Sequence, residues 1–469
     1  MPISFRDPAG YLFSKNARIF RFVKSSASED LRAFLASETA RKFATSGQLV
    51  RTDFLDPSAL ELELADEFAK ATLIEHEKIP FPSFAYEWPP EMLHAAGALT
   101  LDLAGDLLEE GWGLKDATPY NVLFRGPKPV FIDLLSFERR EPGDPTWLPY
   151  AQFVRTFQLP LLVNKHFRLP LTELLTTHRD GLEPEQVYDL LSASQKLRPE
   201  FMSLVSIPTW LASKRSSTSD DIYRKRNLSN TEKARFILER LLKGLRRKLD
   251  RVAPEGTLAS TWSDYMSKNR YTEEYFPEKE AFVQGALMEA KPRMVLDVGC
   301  NTGFFSGLAA KAGASVIAID YDAVVAGKVW QWARAEGLDI QPLVVDLTRP
   351  TPSIGWRNEE CPSFLERARG TFDAVLMLAV IHHMLVTERI PLSEILQLAS
   401  EITTNLLIVE FVAPRDQMFR VLTRGRERLH EDLTVEVFER TAQQFFEIVR
   451  SQRLGESDRW IYFMRKRVA

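Results

Sequence analysis

Two hydrophobic rhythms divide the chain. From Met294 onward, short apolar runs rich in β-branched residues recur at Met294–Val298, Ser315–Asp320, Gln341–Val345, Phe372–Leu378 and Leu406–Phe411, separated by stretches of helical character. Short apolar runs that alternate with helices have the rhythm of βαβ units in a parallel sheet. Two further strands are expected near Phe446–Arg450 and Trp460–Met464. Before Ser213 the pattern is mainly helical, punctuated by proline and aromatic residues, with a short strand-like region near its start. Between the two lies Ser213–Asn230, polar and rich in serine and charge, which reads as a linker. A helix follows it. Leu238, Leu241, Leu242, Leu245, Leu249 and Val252 fall at helical spacing, and Pro254 stops them. Its other face carries Arg240, Lys243, Arg246, Arg247, Lys248 and Arg251. That face reads as the solvated side of a packed helix, with contact to an anionic membrane or nucleic acid as the competing reading.

The pattern therefore predicts an α/β C-terminal domain preceded by a mixed α+β, mainly helical N-terminal domain. The expected boundaries are 1–212, a linker with a basic amphipathic helix over 213–260, and 261–469. Composition leaves this picture intact: 45% hydrophobic and 26% charged residues suffice for packed cores. A formal net charge of −4 provides no global basic field, which disfavours nucleic acid as a partner. Two cysteines, Cys300 and Cys361, cannot build a disulfide framework or a four-thiolate metal site. The first 21 residues carry scattered charge rather than an apolar signal core, and no run reaches membrane-spanning length, so a cytoplasmic protein is expected.

The chemistry concentrates in Met294–Asp320. An apolar strand runs into Asp297-Val298-Gly299-Cys300-Asn301-Thr302-Gly303, after which a helix begins. Gly299 permits a sharp turn and a close approach of backbone to ligand. Gly303 gives the helix close access to strand and ligand. The next strand ends at Asp320, seventeen residues past Gly303, where a carboxylate can accept hydrogen bonds from the two hydroxyls of a ribose. The site would lie at the carboxyl end of the first strand, where doubly wound sheets bind ligands. The spacing alone also allows a dinucleotide fold, although the full G-x-G-x-x-G run is missing.

The stretch resembles the first motif of class I S-adenosylmethionine (SAM)-dependent methyltransferases, with Asp297 as its acidic residue. The likeness continues in order through Val344-Val345-Asp346, Thr371–Leu376, Leu378–His383 and Leu407–Glu410, about 200 residues in all. It implies a seven-stranded Rossmann-like fold and SAM as cofactor. Asp297, Gly299, Asn301, Gly303 and Asp320 are the cofactor-binding residues it implies, with Asp346 near the adenine amino group. SAM supplies an electrophilic methyl, so the protein mainly has to position and desolvate. An oxygen acceptor usually needs a base; His382 and His383 are the first candidates and Glu410 the second. Each is weighed against a role in packing or hydrogen bonding. His382, His383, Glu410 and Asp416 match no metal motif closely, so no metal is expected. Tyr265 and Tyr271, in an aromatic lead-in, are weak pocket candidates. Arg415, Arg420, Arg424 and Arg426 belong either to an acceptor-side cap or to a solvated helix.

A second signal lies upstream. Asp116 and Asn121 are five apart, and Asp133 follows twelve residues after Asn121. The run Leu114–Phe124 with Pro129–Asp133 resembles the catalytic loop and metal-binding aspartate of kinase-like phosphotransferases, including the aminoglycoside type. That likeness implies an acceptor-orienting Asp116 and Mg²⁺ on Asn121 and Asp133. The departures are Leu114 in place of the usual histidine and the lack of a glycine-rich phosphate loop or a V-A-I-K-like lysine. Three readings follow: methyl transfer to a small-molecule or glycan acceptor, a bifunctional enzyme that also handles ATP, and a non-catalytic binding protein on a methyltransferase fold. As a whole the chain also resembles rhizobial host-specific nodulation methyltransferase-like proteins, which would imply a carbohydrate or lipo-oligosaccharide acceptor.

Overall fold

Aromatic and β-branched residues in the first strands build the N-terminal sheet. Strands β1 (Pro2–Ser4), β2 (Gly10–Lys15), β3 (Arg18–Val23), β4 (Thr52–Leu55) and β5 (Thr72–His76) pair antiparallel in the order β1-β2-β3-β5-β4. Phe13, Phe20, Phe22 and Leu73 bury together on it, with the Phe13 and Phe22 rings stacked at 5.1 Å. These features come from a computed structural model, which describes residues 2–4, 7–56, 71–214, 227–255 and 271–467. The chain divides into two units, 1–255 and 256–469.

In the first unit, helix Pro90–Glu109 starts with proline at its first turn, where a missing N–H costs nothing, and buries most of its apolar residues. Two short antiparallel pairs follow: β6 (Trp112–Leu114) with β9 (Phe137–Arg139), and β7 (Val122–Arg125) with β8 (Lys128–Phe131). Helix Thr231–Arg251 packs against Pro90–Glu109 through Leu238, Leu242, Leu245 and Leu249. It begins seven residues before the first leucine of the periodic stripe, because the Asn230 side chain accepts the Lys233 N–H at 2.9 Å and caps a polar first turn. The basic face is largely exposed, but Arg246 pairs with Asp102. Most of the expected linker, residues 215–226, lies outside the described residues.

The second unit holds a mixed sheet of seven strands. They are β10 (Met294–Val298), β11 (Ser315–Asp320), β12 (Ile340–Val344), β13 (Phe372–Met377), β14 (Thr403–Val412), β15 (Phe446–Arg453) and β16 (Arg459–Lys466), in the order β12-β11-β10-β13-β14-β16-β15. β10 to β14 run parallel, and their almost continuous burial reflects cover on both faces. β16 inserts antiparallel beside β14, pairing Glu410 with Ile461 and Val412 with Arg459. This breaks the all-parallel pattern of a dinucleotide fold. The last two strands extend beyond the apolar runs that mark them, since the ladder bonds their polar ends too. The strand order reverses between β10 and β13, opening a crevice at their carboxyl ends. Among the described residues, no helix is long and apolar enough to cross a membrane.

Candidate cofactor and acceptor site

The crevice is a cavity of about 360 Å³. β10 delivers Asp297 and the turn Gly299–Thr302; β11 ends in Asp320; Asp346 stands two residues beyond β12; Leu378, Ala379 and Val380 follow β13. Helix Ile381–Val386 contributes His383 and Met384, and helix Tyr271–Ala290 contributes Lys279.

Backbone geometry explains the glycines. Gly299 has φ +68°, and a Cβ there would lie 2.6 Å from Val380 Cγ2. Gly303 has φ +79° and caps helix Phe304–Lys311, which must approach Val329 closely. Asn301 also sits in the left-handed region, at φ 47°, which asparagine tolerates better than most residues. Its side-chain oxygen accepts the Thr302 N–H at 2.6 Å, and its own N–H donates to Asp320 Oδ2 at 3.0 Å.

The carboxylates are shaped by burial. Asp297 is pushed up to about 6 by burial, against the opposing hydrogen bond from Ser306 Oγ at 2.6 Å. Burial likewise raises Asp320, against backbone N–H bonds from Asp322 and Asn301. A carboxylate has about four lone-pair sites, so Asp320 keeps acceptor capacity toward the cavity. Asp346 Oδ1 accepts from the Thr348 N–H and hydroxyl at 2.9 and 2.6 Å, which leaves Oδ2 for a ligand.

The two histidines part company. His383 lines the cavity; His382 does not. Burial, aided by the Arg459 charge, lowers the His383 pKa, so its imidazole is neutral near pH 7. Burial lowers His382 further, and its Nδ1 has no hydrogen-bond partner among the described residues. The rings lie 4.3 Å apart, centroid to centroid.

Glu410 does not line the cavity either. It is fully buried, with Lys279 Nζ at 2.5 Å and Arg459 Nη1 donating at 3.1 Å. Burial opposes its charge, yet these two cations hold its pKa below the ordinary range. Arg459 also grips Asp416 with two hydrogen bonds, at 2.8 and 3.1 Å. Lys279, Glu410, Arg459 and Asp416 thus form a buried charge network. Sequence reading missed Lys279 and Arg459. A signal for Lys279 was present: it stands three and four residues before the buried Phe282 and Val283, so it shares the apolar face of its helix. Tyr265 lies outside the described residues, and Tyr271 opens the backbone of helix Tyr271–Ala290.

In the first unit, Asn121 and Asp133 are joined through Ser136, whose hydroxyl accepts from Asn121 Nδ2 at 3.2 Å and donates to Asp133 Oδ2 at 2.6 Å. Arg21 Nη1 donates to Asp133 Oδ1 at 2.8 Å. Asp116 is exposed and touches this group through its backbone carbonyl, which accepts from Asn121 Nδ2 at 3.4 Å.

The crevice of the second unit fits SAM. Four carboxylates, Asp297, Asp320, Asp346 and Glu388, suit a cationic ligand, Lys279 offers a counter-charge to a carboxylate, and Phe304, Leu347 and Met384 provide apolar wall for a base. Gly299 keeps open a space a side chain would fill.

Comparison with known proteins agrees. Residues 296–400 match the family model described as a methyltransferase domain. The chain is 29% identical over 133 residues to the ubiquinone biosynthesis O-methyltransferase of Paracidovorax citrulli (strain AAC00-1), covering 28% of this chain and 50% of that protein. Among solved structures it is similar to the N-methyltransferase NodS of Bradyrhizobium japonicum WM9 (13% identity, 41% of this chain and 97% of that one, TM-score 0.31). It is also similar to the bifunctional kinase-methyltransferase WbdD (18% identity, 45% of this chain and 44% of that one, TM-score 0.30). The cofactor is SAM, and the C-terminal unit is a SAM-dependent methyltransferase domain. The nodulation protein NoeA of Rhizobium meliloti (strain 1021) is 30% identical over 463 residues, which cover 98% of this chain and 94% of that protein, and the chain belongs to its family.

Proposed function

We propose that the protein transfers the SAM methyl group to a small-molecule or glycan acceptor, with His383 as the base when the acceptor atom is a hydroxyl oxygen. The carrying observation is that His383 lines the same cavity as Asp297, Gly299 and Asp320. When bound, SAM supplies a sulfonium-activated methyl. Asp320 and Asp346 hold and orient the nucleoside, and Asp297 keeps the Gly299–Gly303 turn in place through Ser306 of the following helix. The neutral His383 imidazole takes the acceptor proton. His382, closed off from the cavity, packs behind it. Glu410 is a positioning residue that fixes Lys279 and Arg459. A glycan acceptor also accords with the nodulation name of the full-length relative. Cys300 and Cys361 are both buried and neither forms a disulfide, in keeping with a reducing cytoplasm.

We assign residues 1–212 to an accessory, kinase-like domain and 213–260 to the segment joining it to the methyltransferase domain. Its Asn121–Ser136–Asp133 chain supports a second reading, ATP binding by the first unit, in which Asn121 and Asp133 would hold Mg²⁺ and Arg21, which donates to Asp133, would have to share it. Isothermal titration separates the readings. SAM binding alone supports methyl transfer without phosphotransfer; added binding of Mg-ATP supports the bifunctional enzyme; binding of neither overturns both. Transfer of label from SAM into fractionated host extract then identifies the acceptor.

A further inference from the structure

A second cavity, of about 420 Å³, lies on the other side of helix Ile381–Val386 from the cofactor crevice. The two share that helix and the turn after it. His383, Met384, Thr387 and Glu388 face the crevice, while Leu385, Val386 and Arg389 line the second cavity. Helix Gln417–Thr423 and the segment after it close the far side. The apolar lining is Leu385, Ile390 and Leu422, with the exposed Leu429 at the edge. The rim is cationic: Arg389, Arg424 and Arg426. Among the described residues, no carboxylate lines this cavity and these three arginines form no ion pair. Three guanidiniums gathered without a counter-charge repel one another and attract an oxyanion. Arg389 holds its place at φ 57°, a backbone conformation that costs an arginine more than a glycine. The volume falls in the range of small-molecule sites.

We propose that this cavity is a subsite for the methyl acceptor, which carries an oxyanion (phosphate, sulfate or carboxylate) beside an apolar segment. The oxyanion sits among Arg389, Arg424 and Arg426, and the apolar segment lies on the apolar lining. The acceptor's reactive atom reaches the crevice over the turn after the helix, where Thr387 and Glu388 line the crevice and Arg389 lines the second cavity. The proposal rests on the methyltransferase reading and names the acceptor's chemical class.

The test is calorimetric titration of the full chain with octyl phosphate, octyl sulfate and octanoate as monomers, against neutral octyl glucoside. SAM is titrated separately. At least one anionic probe is expected to bind about tenfold more tightly than the glucoside, and the tightest names the oxyanion. Arg424→Ala/Arg426→Ala is expected to lose about tenfold or more for that probe while its SAM affinity is unchanged, and the loss should shrink at high salt. Equal binding of neutral and anionic probes, or equal binding by the double variant, overturns the proposal. So does capture by phosphatidylglycerol vesicles with no affinity for monomeric probes, which would point to a membrane. Failure of SAM to bind the wild-type chain would instead overturn the methyltransferase reading, and the octyl probes would still judge the cavity.

Discussion

The ammonium of Lys279 stands 2.5 Å from Oε2 of Glu410, a carboxylate with no exposed surface. One helix before the sheet and the fifth strand of the sheet are tied at this point, beside the cavity that Lys279 lines. Removing one partner of a buried pair leaves the others uncompensated, at a cost of about 3–5 kcal/mol. Glu410→Ala is therefore expected to destabilise the C-terminal unit by that order in urea unfolding, with loss of SAM affinity following. Glu410→Gln should lose less, because its shape is kept. Wild-type stability in Glu410→Ala with turnover abolished would make Glu410 a base after all.

Asp320→Ala is expected to abolish SAM binding in a folded protein. The carboxylate faces the crevice and also holds the N–H groups of Asn301 and Asp322, so its loss removes a ligand contact and loosens the turn. Asp320→Asn keeps an acceptor and should bind weakly. Calorimetry, with circular dichroism as the check on folding, decides; retained affinity in the alanine variant sinks the ribose contact.

Affinity for SAM should fall as pH drops below about 6. Asp297 carries its proton up to about that pH in the free protein, because burial penalises its charge. A cationic ligand favours the ionised form, so binding releases the proton wherever the free protein still holds it. One linked proton changes affinity by up to about tenfold per pH unit below the pKa and leaves it flat above. Asp297→Asn should flatten the profile except for what Asp320, also raised by burial, contributes. An unchanged slope in that variant would assign the proton elsewhere.

Gly299→Ala places a methyl carbon 2.6 Å from Val380 Cγ2 at a backbone with φ +68°. The strain alone costs about 1–3 kcal/mol. Adding Val380→Ala removes the clash and leaves the dihedral cost, so SAM affinity should recover in part. Full recovery would mean that the dihedral is unimportant, and no recovery that the backbone, rather than Val380, sets the limit.

His383→Gln is expected to lower kcat by about 10²- to 10⁴-fold for an oxygen acceptor, measured by label transfer from SAM. The wild-type activity should fall on the acid side only below the ordinary histidine range, because burial lowers the His383 pKa. His382→Gln should mainly change stability, since that residue is buried and does not line the cavity. Equal kcat losses in both variants would mean the pair acts as a unit.

Most of the C-terminal architecture was legible in the chain. Parallel strands buried on both faces read as apolar runs, and a glycine turn followed by a strand-ending aspartate is a local pattern. Asp297, Gly299, Asn301, Gly303, Asp320 and Asp346 were therefore marked by neighbours in sequence. Helix Thr231–Arg251 was half legible, because its polar first turn rests on the Asn230 cap rather than on the leucine stripe. The first unit was read least well: Arg21 meets Asp133 across 112 positions, and no local pattern announces such a pair.

By itself the sequence determined the strand-and-helix rhythm of the second unit and the glycine turn at the end of its first strand, because both depend on the properties of residues close together in the chain. Tertiary structure alone decided that His383 faces the cavity and His382 does not. It also decided that Glu410 is bound between Lys279 and Arg459, and that Arg389 meets Arg424 and Arg426 around one cavity. Burial and charge pairing are set by groups far apart in sequence, and those two quantities fix which side chain can accept a proton and which can only hold another in place.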